Sequence, residues 1–130
     1  DVTIHPELTR DELAAELASS KVYLFPCCYK ESFGFTILEA VKCGTFCVTT
    51  NIGSVREFMF DGLIKIDAAA HFNDYMYKII GISRSQLNEF VQETHNICSN
   101  NLQTEGKGVE DFSWEKNALG WEKMLREVCE

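Results

Sequence analysis

The chain has 130 residues, 45% of them hydrophobic and 25% charged, and a formal net charge of -8. That length fits one domain, which can bury about two thirds of its unfolded surface, and the composition is that of a folded globular protein rather than a disordered segment. The acidic balance excludes nucleic acid and anionic membrane surfaces as partners unless a local basic patch exists, and the sequence contains none.

No apolar run approaches the roughly 18 residues that cross a bilayer, and Asp1 to Arg10 lacks the basic and apolar sections of a signal peptide. Cys27, Cys28, Cys43, Cys47, Cys98 and Cys129 form no C-x-x-C pair, and His5, His71 and His95 lack ligand spacing. These features lead us to expect reduced thiols, no metal, no integral membrane segment and a cytoplasmic location.

In chain order, Val2 to His5 has the pattern of a short strand. Thr9 and Glu12 form a capping box for a helix over Arg10 to Ser19, with Leu13, Ala14 and Leu17 on its apolar side. The run Lys21 to Phe25, stopped by Pro26, predicts a buried parallel strand. After a loop to Phe33, a helix from about Gly34 to Lys42 turns Ile37, Ala40 and Val41 to the sheet, and Gly44 ends it. Phe46 to Thr50 is the next strand. Asn51 to Ser54 is a turn, with Ser54 expected to cap a short helix over Val55 to Phe60. Asp61-Gly62 leads into the strand Leu63 to Ile66. Helices are expected over His71 to Ile80, Arg84 to Asn100 and Ser113 to Val128, with Asn101 to Phe112 as a polar surface loop. Trp114 and Trp121, seven residues apart on the last helix, read as packing residues.

Strands alternating with helices over short connections imply an α/β fold, a Rossmann-like parallel sheet flanked by helices, followed by a helical C-terminal region. Residues 1–130 read as a single domain. In open α/β sheets ligands bind beyond the carboxyl ends of the strands. The stretch Glu31-Ser32-Phe33-Gly34-Phe35-Thr36, with Glu39 beyond it, occupies such a place. The first amides of a helix starting at Gly34, those of Phe35 and Thr36 among them, lack intrahelical acceptors and suit a phosphate. Glu39 lies five residues past Gly34, about 7.5 Å along the axis, where its carboxylate would meet hydroxyls rather than that phosphate. Glu31, on the other side of Gly34, would accept hydroxyls of a second group. Spacing alone leaves the alternative open that both glutamates are solvated and Gly34 is a simple turn residue.

The run VYLFPCCYKESFGFTILEAVKCGTFCVTTNIGSVREFMFDG, Val22 to Gly62, resembles the donor-binding signature of retaining glycosyltransferases of the GT-B fold, family 4-like. Pro26, Glu31, Phe33, Gly34, Glu39, Ala40, Cys43, Gly44, Thr45, Gly53 and Glu57 stand in register with that pattern, and Phe112-Ser113-Trp114 matches a motif that precedes its final helix. Cys27, Phe46, Ser54 and Arg56 depart from it, which leaves the loop around Ser54 without an assigned role. The resemblance implies that Glu31 is the catalytic-site residue on the transferred sugar. It further implies that Gly34, Phe35, Thr36 and Glu39 bind the nucleotide-sugar donor, that the reaction retains configuration, and that no metal or other cofactor is required.

It also implies a larger two-domain enzyme. The chain would be the later part of one GT-B domain, its C-terminal donor-binding half. The N-terminal acceptor domain and the basic residues that would neutralise the diphosphate are expected outside it, and the isolated chain is expected to transfer nothing. A non-catalytic Rossmann-like interaction module, a flavodoxin-like regulatory domain and a hydrolase using Glu31 and Glu39 as acid and base are the competing readings.

Overall fold

The computed structural model describes residues 2–29, 32–67 and 82–129, the side chains of 127–129 excepted. Its elements are α1 (Arg10–Ser19), β1 (Val22–Phe25), α2 (Phe35–Lys42), β2 (Phe46–Thr50), a 3-10 helix Gly53–Glu57, β3 (Leu63–Ile66), α3 (Arg84–Ser99), a second 3-10 helix Val109–Phe112, and α4 (Trp114–Cys129). The three strands form one parallel sheet in the order β1-β2-β3. Val22 stands beside Phe46, and Cys47 beside Leu63. This is the α/β, Rossmann-like arrangement that the alternation of elements predicts.

The period-2 alternation of the strands sorts side chains onto two faces. On the α2 face Cys47 joins Ile37, Leu38, Val41, Val55, Phe58, Phe60 and Val109, with Tyr23, Phe25, Leu63 and Phe112 against them. On the α3 face Phe46, Val48 and Ile66 pack with Phe90 and Ile97. Every residue of β2 is buried because both faces are covered.

β1, expected to be buried, is only half-buried, and Leu24 is exposed. Among the described residues it pairs with β2 alone. The pattern of an apolar run carries no information about what lies beside it.

α1 follows its capping box: the Glu12 amide donates to Thr9 Oγ1 at 3.3 Å and the Thr9 amide to Glu12 Oε2 at 2.8 Å. Only Leu17 of its expected apolar side is buried, because α1 leans on the flank of α2 and not on the sheet. The Thr45 hydroxyl donates to the Leu17 carbonyl and ties β2 to the end of α1.

Four other expectations are corrected. Val2 and Ile4 are exposed and Val2 to His5 forms no strand, since no neighbouring strand among the described residues meets them. The helix expected over Val55 to Phe60 is the 3-10 helix Gly53–Glu57, and Ser54 does not cap it: Ile52 holds that position without a side-chain bond. Burial of Val55, Phe58 and Phe60 on the α2 face sets this path.

The expected surface loop Asn101 to Phe112 is anchored. Asp61 Oδ2 accepts from the Thr104 hydroxyl at 2.9 Å and the Glu105 amide at 3.1 Å, the Asp61 amide donates to the Lys107 carbonyl at 3.0 Å, and Val109 enters the core. Finally, Trp114 and Trp121 do not pack inside; they are 81% and 62% exposed. The helix expected over His71 to Ile80 lies outside the described residues.

Candidate functional site at the start of α2

The chain leaves β1 at Phe25, passes Pro26, and enters α2 through Gly34. Gly34 has φ +79° and ψ 44°, the left-handed region that a side chain would disfavour by about 1–2 kcal/mol. That conformation turns the chain sharply into the helix and supplies no capping side chain. The Gly34 carbonyl accepts from the Ile37 amide at 3.0 Å and the Leu38 amide at 3.3 Å. The Phe35 and Thr36 amides precede these bonds, so they belong to the set that a helix leaves for an external acceptor. With no Cβ at Gly34 and the positive end of the helix dipole behind them, these amides form a place for an anion.

Glu39 lies on the exposed side of α2. It sits on a ridge between two hollows. One, of about 170 Å³, is shared with α1 and lined by Arg10, Leu13 and Lys42 among others. The larger, about 470 Å³, lies between α2 and α4 and includes Phe35, Leu38, Lys42, Trp114 and Trp121. Burial pushes the Tyr23 phenol up from its ordinary range; the Thr36 side chain opposes that rise and the Glu39 carboxylate adds to it. The structure therefore brings Gly34, Phe35, Thr36 and Glu39 onto one short segment. Glu31 lies outside the described residues.

At the carboxyl end of β2, Thr49 Oγ1, Asn51 Oδ1 and Ser54 Oγ are buried oxygens without a hydrogen-bond partner among the described residues. Strand alternation puts Thr49 on the same face as Cys47, toward α2. Two neighbours are satisfied: the Thr50 hydroxyl donates to the Cys27 carbonyl at 2.6 Å, and Asn51 Nδ2 donates to Asp67 at 2.7 Å. Burying a polar group unpaired costs about 1–3 kcal/mol, so orphaned oxygens at the carboxyl end of β2 mark a polar corner there.

The aromatic wall of the larger hollow was not read from the sequence as part of a site. The Phe33 and Phe35 rings lie tilted against each other at 4.6 Å between centroids, and Phe33, Phe58, Phe60 and Phe112 make edge-to-face contacts at 5.3 to 6.3 Å. Phe112 holds the base of α4 against this cluster, and Ser113 opens the helix by accepting from the Lys116 amide at 3.2 Å. The signal was present in Phe112-Ser113-Trp114 and the seven-residue tryptophan spacing; what spacing does not say is which face of α4 meets a neighbour.

Cys28, Cys43, Cys47 and Cys98 are in no disulfide among the described residues, and burial pushes Cys47 up to about 12. No helix among the described residues is long and apolar enough to cross a membrane.

The family profile described as glycosyl transferases group 1 matches residues 1–92. The D-inositol 3-phosphate glycosyltransferase of Arthrobacter sp. (strain FB24) is 44% identical over 61 residues, covering 47% of this chain and 14% of the relative. The protein of the same name from Paenarthrobacter aurescens (strain TC1) is 39% identical over 70 residues, covering 54% of this chain and 17% of the relative. The chain thus spans less than a fifth of the length of these relatives. No solved structure gives a significant match.

Proposed function

Because the chain belongs to the glycosyl transferases of group 1, we propose that it is the donor-binding, C-terminal part of a retaining, family 4-like GT-B enzyme that moves a sugar from a nucleotide-sugar to an acceptor. The observation that carries this reading is Gly34 in the left-handed conformation at the head of α2, with Glu39 on the same helix.

The diphosphate of the donor docks on the Phe35 and Thr36 amides. There the helix dipole stabilises the negative charge that grows on the leaving oxygen as the glycosidic bond breaks. Such stabilisation matters more in the transition state than in the ground state, so it accelerates the step and does not merely tighten binding. Glu39, about 7.5 Å further along the axis, accepts hydrogen bonds from the ribose hydroxyls; Glu31 grips hydroxyls of the transferred sugar. Since helix amides and dipole take the role of a cation, no metal is required. A second domain supplies the acceptor, and the isolated 130 residues transfer nothing. The acidic chain, whose six cysteines have no disulfide or metal spacing, fits a cytoplasmic setting.

Calorimetric titration with nucleoside diphosphates tests the reading. Glu39→Ala should weaken binding of every nucleoside diphosphate by about tenfold, the loss of about 1.4 kcal/mol expected from charge-assisted hydrogen bonds. Glu31→Ala should spare the nucleoside diphosphate and weaken the intact nucleotide-sugar. A chelator should change neither. Identical affinities in both variants and the wild type would refute the assignment, and absence of any nucleotide binding would favour a non-catalytic interaction module.

A further inference from the structure

The head of α2 is held by a restraint that its own residues do not supply. Glycine gives up more conformational freedom on ordering than any other residue, and no side chain caps the helix at Gly34. Its carbonyl must nevertheless stay placed for the Ile37 and Leu38 amides, at 3.0 and 3.3 Å, if the Phe35 and Thr36 amides are to serve one anion.

That restraint is aromatic. Phe33 and Phe35 flank Gly34, their rings tilted together at 4.6 Å. Phe33 in turn meets Phe112 edge-on at 6.2 Å and Phe58 at 6.3 Å, and those two meet each other at 5.5 Å. Edge-to-face contacts have a preferred geometry, so this closed triangle of rings sets the direction of Phe33 as well as covering it.

Phe112 is itself a fixed point, because the segment that carries it from Thr104 is anchored along its length. Asp61 Oδ2 accepts from the Thr104 hydroxyl and the Glu105 amide. Gly106 passes so close to α2 that a Cβ there would stand 2.3 Å from the Val41 carbonyl oxygen, and Val109 is buried in the core. Phe112 also lies beyond residues 1–92, the stretch that the family profile matches.

We infer that Phe112 is a positioning residue for the anion site at the head of α2. Through Phe33 it holds the Gly34 turn, and with it the Phe35 and Thr36 amides, in the geometry that receives a diphosphate. The diphosphate as occupant rests on the donor reading above; the hold on Gly34 does not.

Phe112→Leu and Phe112→Met each remove the ring and keep apolar bulk. Phe60→Leu is the comparison, since Phe60 belongs to the same cluster but has its ring contacts with Phe58 and Phe112. Hydrogen exchange of the Ile37 and Leu38 amides in the ligand-free 130-residue chain reads the Gly34 carbonyl directly. After correction for global stability from urea midpoints, both Phe112 variants should speed these two amides by about tenfold or more, and Phe60→Leu should not. In calorimetric titrations with UDP, GDP and ADP, the affinity of those that bind the wild type should fall by about tenfold in the Phe112 variants and stay within about twofold in Phe60→Leu. Phe112→Tyr, which keeps the ring, should restore both readouts.

Exchange at Ile37 and Leu38 that the Phe112 variants leave unchanged, or that Phe60→Leu speeds equally, would overturn the inference. So would an unchanged nucleotide affinity in the Phe112 variants. Faster exchange in those variants, in a chain whose wild type binds none of the three nucleotides, would uphold the hold on Gly34 and remove the donor assignment.

Discussion

Two residues outside the candidate site show how much single positions decide. Gly106 has φ +63°, and a Cβ built on it would stand 2.3 Å from the Val41 carbonyl oxygen, a backbone atom of α2 that has no freedom to rotate away. Gly106→Ala should therefore lower stability by about 2 kcal/mol or more, combining left-handed strain with overpacking, read as a fall in the urea midpoint at unchanged m-value. Asp61 is held below its ordinary 3.8 by the Thr104 hydroxyl first, then by the Glu105 amide. A carboxyl depressed in the folded state stabilises the fold above its unfolded pKa and ceases to do so as pH falls through the folded one. Stability should thus drop as pH is lowered from about 4, and Asp61→Asn should flatten that part of the profile. The carboxylate is almost fully exposed, so the difference will be small and most visible at low salt.

At the scale of elements, the capping box of α3 acts as an anchor beyond its own helix. Ser83 Oγ accepts from the Gln86 amide at 3.3 Å and Gln86 Oε1 accepts from the Ser83 amide at 2.8 Å. The buried Gln86 side chain also donates to the Asp67 carbonyl at 2.6 Å, which fastens α3 to the end of β3. Ser83→Ala should cost about 1 kcal/mol as a lost cap, whereas Gln86→Ala should cost more, about 2 kcal/mol, because it also orphans a carbonyl partner near the core. A comparison of the two thermal midpoints checks the order.

Thr9 and Glu12 are close in sequence, so α1 was legible to the residue, and α3 was read to within one residue at its end. The 3-10 helix at Gly53–Glu57 was not, because burial of Val55, Phe58 and Phe60 overrides the local preference of Ser54 for a cap position.

At the scale of the molecule, the sheet carries a core on each face with β2 shared between them. Ile37 belongs to one cluster and Ile97 to the other, and both are fully buried. Ile37→Val and Ile97→Val should each cost about 1 kcal/mol. The double variant should lose their sum to within about 0.5 kcal/mol, since the sites share no partner. A single unfolding transition, coincident by circular dichroism and fluorescence, should persist in all three. An excess loss in the double variant would mean that β2 transmits strain between faces.

The sequence by itself determined the parallel α/β order, the strands β2 and β3, the helix beginning at Gly34, and the placement of Phe35, Thr36 and Glu39 on one segment. Each of those rests on residues a few positions apart, where period, capping and turn chemistry act. Only the tertiary structure decided that β1 is no more than half-buried, that Asn101 to Phe112 is tied to Asp61, and that the tryptophans of α4 face a hollow rather than the core. Those outcomes depend on which surfaces meet across forty or more residues, and burial, which selects them, is a property of the packed chain that no local spacing contains.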